Sequence, residues 1–264
     1  MKARILILAL LAAIAVIPAC KKRPGESPDV TVQFTVGDVS IVSAQGKKPA
    51  AVGDPVLYDE SIVTGNSSFA ELNFGTRGVI RVAENSAVTM AALQGSSGPE
   101  QVRLDMKKGK IYVIMSKLAR KEGFSIMTPT TLAAIRGTSF MVVSDPASSK
   151  IYVLRGKILV RLAKDGKLAE NIEKLLEANR KVVVSEDLVG EIIAGKKEIE
   201  AAPLTPKETA EIREEMKDIR TGERLDQEAQ KELNEIISAE VKQEKIQTGK
   251  QEKQKKEFQP IPNF

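Results

Sequence analysis

From Val30 to about Ala194 the chain alternates apolar and polar residues in short runs rich in Val, Ile and Thr, broken by Gly, Asp, Asn and Pro. A period of two over four to eight residues turns one face of a strand to a core and the other to solvent. The pattern predicts strands over 31–36, 38–43, 61–64, 69–74, 79–82, 87–93, 101–106, 109–114, 124–128, 131–135, 139–143, 150–154, 157–162 and 181–185. So many short strands between turn signals predict a mainly β domain, either a β-sandwich or a short solenoid-like fold. A glycine opens four of these runs, at Gly37-Asp38-Val39, Gly78-Val79-Ile80, Gly109-Lys110-Ile111 and Gly156-Lys157-Ile158. Glycine supplies the positive φ that a tight turn needs before a strand resumes. The spacings of 41, 31 and 47 residues are too irregular for a repeat array, so a single domain with internal echoes is expected.

Two segments read as helical. Over Lys164–Asn179 the residues Leu168, Ile172, Leu175 and Leu176 fall on one helical face, and Asn179 is a stop signal. The second starts at Thr205-Pro206-Lys207-Glu208, a capping box with proline at the first helical position. Ile212, Met216 and Ile219 form its apolar stripe, Gly222 interrupts it, and Leu225, Leu233, Ile236, Ile237 and Val241 form a second. Such a thin stripe fits packing on the β domain, pairing with a partner helix, or an exposed helix laced with charge pairs.

At the N-terminus Lys2 and Arg4 precede an apolar run from Ile5 to Val16, followed by Ile17-Pro18-Ala19-Cys20. A basic start, a short apolar stretch and a small residue at the cut site define a secretory signal peptide. The run is too short for the roughly 20 apolar residues of a spanning helix. Its last four residues resemble a bacterial lipobox, departing from it at Pro18, and Cys20 is the only cysteine. The resemblance implies acylation of Cys20, and two or more chains anchor a protein stably where one does not. The expected organisation is a signal peptide (1–19), a lipidated tether (20–29), a β domain (30–194), a linker (195–203), a charged amphipathic helix (204–247) and a disordered tail (248–264). No acidic retention signal follows Cys20, which favours the outer membrane over the inner.

Composition narrows the chemistry. The 264 residues contain no histidine and no tryptophan, so with Cys20 lipidated there is no Ser-His-Asp or Cys-His centre and no zinc site built on His or Cys. No catalytic residue, metal or cofactor is expected. Carboxylate-based glycoside hydrolysis needs no histidine, but such clefts stack sugars on aromatic rings, and aromatic residues make up only 4% of the chain. The net charge of +5 is mild and argues against nucleic acid as a partner.

Several motifs stand together in the β region: Val52-Gly53-Asp54-Pro55-Val56, Ser61 through Leu72, Ile80 through Ser86, Gly109-Lys110-Ile111, and Ala134-Ile135-Arg136-Gly137-Thr138-Ser139-Phe140. In order and spacing they resemble the FecR domain across residues 34–190. The family name comes from regulators that carry an iron-siderophore signal from an outer-membrane transporter to a cytoplasmic sigma factor. With no cytoplasmic segment before Cys20 and no span after it, this chain is expected instead to be similar to FecR-domain lipoproteins of spirochaetes and other diderm bacteria. The candidate binding or structural residues are Thr64, Gly65, Asn66 and Ser68 in one motif and Arg136, Gly137, Thr138 and Phe140 in the other. Thr64 to Ser68 reads as a tight turn. Arg136 either projects into a partner site or satisfies buried acceptors at a bend that Gly137 permits. The expected function is a lipid-anchored, non-enzymatic envelope protein binding another protein or an envelope polymer. The alternatives are a periplasmic signalling adaptor on an outer-membrane transporter and a carboxylate-based polysaccharide hydrolase.

Overall fold

A computed structural model describes residues 30–91, 101–116, 118, 123–135, 137–164 and 167–221. Among these, sixteen strands form two sheets that share one long strand. The first sheet runs β1 (Thr31–Val36), β5 (Phe69–Asn73), β6 (Gly78–Val82), the second half of β8 (Gln101–Met115), β11 (Ser139–Asp145), β12 (Ser148–Arg155), β15 (Arg180–Ser185) and β16 (Ala202–Pro203). The second runs β3 (Gly46–Pro49), β2 (Val39–Ser43), β4 (Ser61–Thr64), β7 (Ala87–Ala91), the first half of β8, β9 (Gly123–Met127), β10 (Thr131–Ile135), β13 (Lys157–Lys164) and β14 (Lys167–Glu177). Only β8 with β9 is parallel. The architecture is therefore a β-sandwich whose chain passes back and forth between its two sheets, and this explains the solenoid-like echo in the sequence.

Period-two alternation builds the core directly. Leu72, Ile80, Val113, Val142 and Val153 of the first sheet meet Ile41, Ile62, Leu104, Ile126 and Val160 of the second, all essentially inaccessible. Phe74 and Phe124 add an edge-to-face pair with ring centres 5.5 Å apart. The edges are protected. Val32 and Val30 of the first edge bond the 53–56 loop, and β3 at the second carries Lys47, Lys48 and Pro49.

Two predicted elements are corrected. The segment read as a helix over 164–179 is β14, an antiparallel edge strand pairing Lys157 with Glu177 and Leu159 with Leu175 across β13. Its leucines, lysines and glutamates have helical propensity, but the ladder offered by β13 overrides it. Leu176 faces the core, whereas Leu175 is 52% exposed, a split that a single apolar helix face would not give. Asn179, with φ of 60°, makes a chain reversal between strands instead of a helix cap. The predicted strands 101–106 and 109–114 are one continuous strand that bends at Gly109.

The C-terminal helix starts where the capping box places it, with the Thr205 hydroxyl accepting from the Glu208 N–H and the Glu208 carboxylate from the Thr205 N–H. This helix, Pro206–Met216, ends well short of the expected 204–247, because residues 217–221 turn to lay Ile219 and Arg220 on the sheet. The remainder of that predicted helix, with the signal peptide, Cys20 and the tail, lies outside the described residues. A further helix, Glu186–Ile193, follows β15 and buries Val189 and Ile192. We call these α1 (Glu186–Ile193) and α2 (Pro206–Met216). Residues 195–203 are more than a linker, since Ile199 joins the core and β16 pairs with β15. No described helix is long and apolar enough to cross a membrane.

Candidate functional site

Wherever the chain crosses between the sheets it turns a corner, and each FecR-like motif except Val52–Val56 lies at one. At the first, Gly37 (φ 74°) leads from β1 to β2. A Cβ there would stand 2.3 Å from Ser68 Oγ, the atom that accepts from the Asp38 N–H at 2.9 Å. Ser68 Oγ donates to the Asn66 carbonyl at 2.9 Å, and Gly65 N–H donates to the Asp38 carbonyl at 2.8 Å. Thr64 Oγ1 donates to the Ala83 carbonyl and accepts from Ser86 N–H at 3.0 Å, tying the β4–β5 corner to the β6–β7 corner. The positive φ of the Thr64–Ser68 turn falls on Ser67 (50°), held by its N–H to Glu84 at 2.8 Å. Neither Gly65 nor Asn66, the residue types in the turn that tolerate it best, takes the positive φ. Asn66 is exposed at the apex. Gly109 repeats the Gly37 device, with a Cβ position 2.2 Å from Ser86 Oγ, which accepts from Lys110 N–H at 2.9 Å.

The second motif forms a separate corner. Gly137 (φ 102°) leads from β10 to β11, and a Cβ on Gly156 (φ 81°) would stand 2.6 Å from the Gly137 carbonyl and 2.7 Å from Thr138 Cγ2. Thr138 is inaccessible, its carbonyl accepts from Met115 N–H at 3.0 Å, and its hydroxyl has no partner among the described residues. Phe140 is a core residue at 0% exposure, and Arg136 lies outside the described residues. The first motif reaches Lys110 through Ser86, which bonds both Thr64 and Lys110, and the second adjoins Met115, with Lys110 and Met115 about 17 Å apart along β8 at roughly 3.4 Å per residue. The structure therefore does not unite the two motifs in one site.

It assembles a different constellation on the outer face of the first sheet. Glu71 and Arg81 are direct cross-strand partners on β5 and β6. Glu71 is fully buried and accepts from Arg81 Nη2 at 2.6 Å and Nε at 3.1 Å, and from Gln33 Nε2 at 3.1 Å. Burial of a carboxylate demands this charge-assisted pairing. Around the pair Val79, Ala83, Tyr112, Met141 and Leu154 make an apolar surface, covered by Ile212, Met216 and Ile219 of the α2 segment. Arg81 Nη1 donates to the Glu215 carbonyl at 2.8 Å, Tyr112 OH donates to the Glu215 carboxylate at 2.6 Å, and Lys110 Nζ stands 3.6 Å from it. Arg220 stacks 3.7 Å from the Phe34 ring centre, and Lys181 bonds Glu208 at the other end. Burial and the bond to Glu215 push the Tyr112 phenol far above its ordinary value. Lys181 and the capping bonds from Thr205 hold the Glu208 carboxyl down to about 2. The α2 segment is thus a strap from β15 to β1.

Sequence reasoning missed Glu71, Arg81, Tyr112 and Glu215. One signal was available: Glu71 and Arg81 sit in strands of a hairpin at positions that pair, where opposite charges attract. A small cleft of about 130 Å³ lies between Pro129, Thr130, Pro146, Lys164, Glu186 and Val189. That is well below the roughly 300–1,000 Å³ of small-molecule pockets. Among the described residues no group of three or more His, Cys, Asp or Glu could hold a metal ion.

The protein is thus a sheet-swapping sandwich with glycines and hydroxyl residues at its corners. The FecR protein family matches residues 60–159, from the edge of β4 to the start of β13. Residues 60–159 are therefore similar to that family. The match leaves out β1 to β3, most of β13, everything after it and the whole strap. No curated protein matches the chain. Two crystal structures of a candidate anti-sigma factor from Parabacteroides distasonis ATCC 8503, at 1.65 and 2.50 Å resolution, are similar at 14% identity with a TM-score of 0.43. The similarity covers 57% of this chain and 62% of that one.

Proposed function

We propose that this protein is a non-catalytic adaptor of the cell envelope, tethered through a lipidated Cys20, whose FecR-like domain binds another protein. The FecR family match carries the reading, because it falls on the strands that form both sheets. The corner residues Thr64, Gly65, Ser68, Gly137 and Thr138 support it indirectly: their polar groups and backbone conformations hold crossings between sheets, which leaves recognition to a sheet face. Within this reading, docking on an outer-membrane transporter as part of an uptake signal is as well supported as binding another envelope protein or polymer, since the family's name derives from such regulators. The lipid tether and outer-membrane placement rest on the lipobox-like Ile17-Pro18-Ala19-Cys20.

Crosslinking and pull-down from intact cells, with wild type beside a chain lacking 204–264, tests the reading. One envelope protein recovered with both chains assigns binding to the β domain. Loss of that partner on truncation moves binding to the strap and tail, and recovery of no protein from either chain overturns the reading. Transcript profiling of a deletion strain under iron limitation separates the signalling form: a changed uptake regulon supports it, and an unchanged profile removes it.

A further inference from the structure

The apolar residues under the strap and the strap itself differ in origin along the chain. Val79, Ala83, Tyr112, Met141 and Leu154 all lie inside residues 60–159, the part that matches the FecR family, whereas the residues covering them, Ile212, Met216 and Ile219, lie more than fifty residues beyond it. The domain thus supplies a ready apolar face and this chain supplies a cover from outside the domain. The cover is also mechanically separate. No strand-to-strand backbone bond of the first sheet involves residues 205–221, which attach through side chains, through bonds to the Glu215 and Arg220 carbonyls and through the Arg220 N–H to Glu71. Lifting the strap would break no ladder. At eleven residues α2 is shorter than the roughly 12–15 that sustain a helix in isolation, so its helicity depends on the face it covers.

The face reads a particular kind of helix. Tyr112 OH and Lys110 Nζ converge on one carboxylate, that of Glu215, while Arg81 holds the same residue's carbonyl. Flanking it, Ile212, Met216 and Ile219 fill the apolar surface at spacings of four and three. Two donors on one carboxylate, set in an apolar patch, select a helix with an acidic residue beside such a stripe, and Arg81 fixes that helix through a backbone carbonyl.

We propose that the outer face of the first sheet is the docking site for an acidic amphipathic helix of a partner protein, and that α2 occupies it in cis as a pseudo-ligand which the partner displaces. This rests on the reading of the domain as a protein-binding adaptor and gives that reading a surface and a partner chemistry. A tethered occupant acts at an effective concentration on the order of millimolar, so the closed chain resists weak competitors and admits only a helix that fits better.

The test uses the mature full-length chain and a fluorescent synthetic peptide of residues 204–221, and it needs no cellular partner, so it can succeed or fail independently of the pull-down. Peptide anisotropy should stay flat with wild type and rise to saturation with the strap-opened I212D/M216D chain, an apparent affinity at least about ten-fold higher. Adding Lys110→Glu to the opened chain, or using a peptide with Glu215→Gln, should weaken binding several-fold. An opened chain that keeps its far-UV circular dichroism but binds no peptide overturns the proposal, and so does one that dimerises by exchanging straps. Should the opened chain lose its fold, hydrogen exchange of wild type decides. Amides of α2 exchanging at least about 100-fold faster than those of β8 and β11 support a detachable strap, and equal protection overturns it.

Discussion

Replacing Arg81 with methionine probes the one fully buried carboxylate in the described structure. Glu71 has no exposure and its side chain receives both Nε and Nη2 of Arg81, whose own side chain is 13% exposed. In Arg81→Met the carboxylate keeps only the Gln33 amide at 3.1 Å and the more distant Arg220 N–H at 3.4 Å. Removing one member of a buried pair typically costs about 3–5 kcal/mol, because the other charge is left uncompensated. The same change deletes the bond to the Glu215 carbonyl and the stacking of the guanidinium 4.8 Å over Phe69, so the expectation lies in the upper half of that range. Replacing both partners, as Glu71→Leu with Arg81→Met, removes the stranded charge and should recover at least about 2 kcal/mol of the loss, since apolar isosteres of buried pairs are often nearly neutral. Urea unfolding followed by circular dichroism measures both variants. A loss below about 1 kcal/mol for Arg81→Met, or a double variant as unstable as the single one, would refute the assignment of this pair as a desolvated, mutually dependent unit.

Three further outcomes follow from the geometry. Gly109→Ala places a Cβ 2.2 Å from Ser86 Oγ at a φ of 114° and should lower stability by about 2–4 kcal/mol, whereas Gly190→Ala, in α1 with nothing within 4 Å, should raise it by about 0.5–1 kcal/mol in the same thermal melt. Thr64→Val orphans the buried Ser86 N–H and should cost about 1–3 kcal/mol, while Thr138→Val removes a hydroxyl without a described partner and should be neutral or slightly stabilising. The Glu208 carboxyl is held at about 2, below its ordinary 4.5. Its contribution to strap docking is therefore complete above pH 4.5 and is lost as pH falls toward 2. The protection factors of α2 amides, taken relative to intrinsic exchange at each pH, should fall over that window in wild type and change less in Glu208→Gln.

Where residues interact with near neighbours, the sequence was readable. Period-two alternation located β1, β4 and β10 to the residue, and in β4 and β10 buried positions alternate without interruption. The capping box located the start of α2 because every atom of that motif lies within four residues. Failure came where a partner distant in sequence decided the outcome. β14 has helix-forming residues and becomes a strand through its ladder to β13. The signals of α1 were local, yet no element was predicted over 186–193: Ser185 accepts from Leu188 N–H, Glu186 and Asp187 follow in the first turn, and Gly195 lies just beyond.

The functional motifs illustrate the same division. Thr64 to Ser68 was legible as a turn, but only the fold shows that Ser68 and Ser86 seat the close approaches of Gly37 and Gly109. A charged pair such as Glu71 and Arg81 looks solvated when each strand is read alone, since an alternating strand turns its polar face to water. The strap, reaching from more than 130 residues away, turns that face into an interior. Corner serines and glycines support the sandwich while a separate sheet face is left for recognition.

Site-specific photocrosslinking in living cells tests that separation most directly, with a photoreactive phenylalanine analogue placed singly at Val143, on the margin of the strap-covered face, and at Asn66, on the exposed corner. The account predicts one discrete envelope-protein adduct from Val143 that grows when Met216→Asp loosens the strap, and none from Asn66. An adduct from Asn66 with none from Val143 would contradict it, and would return recognition to the corner motifs.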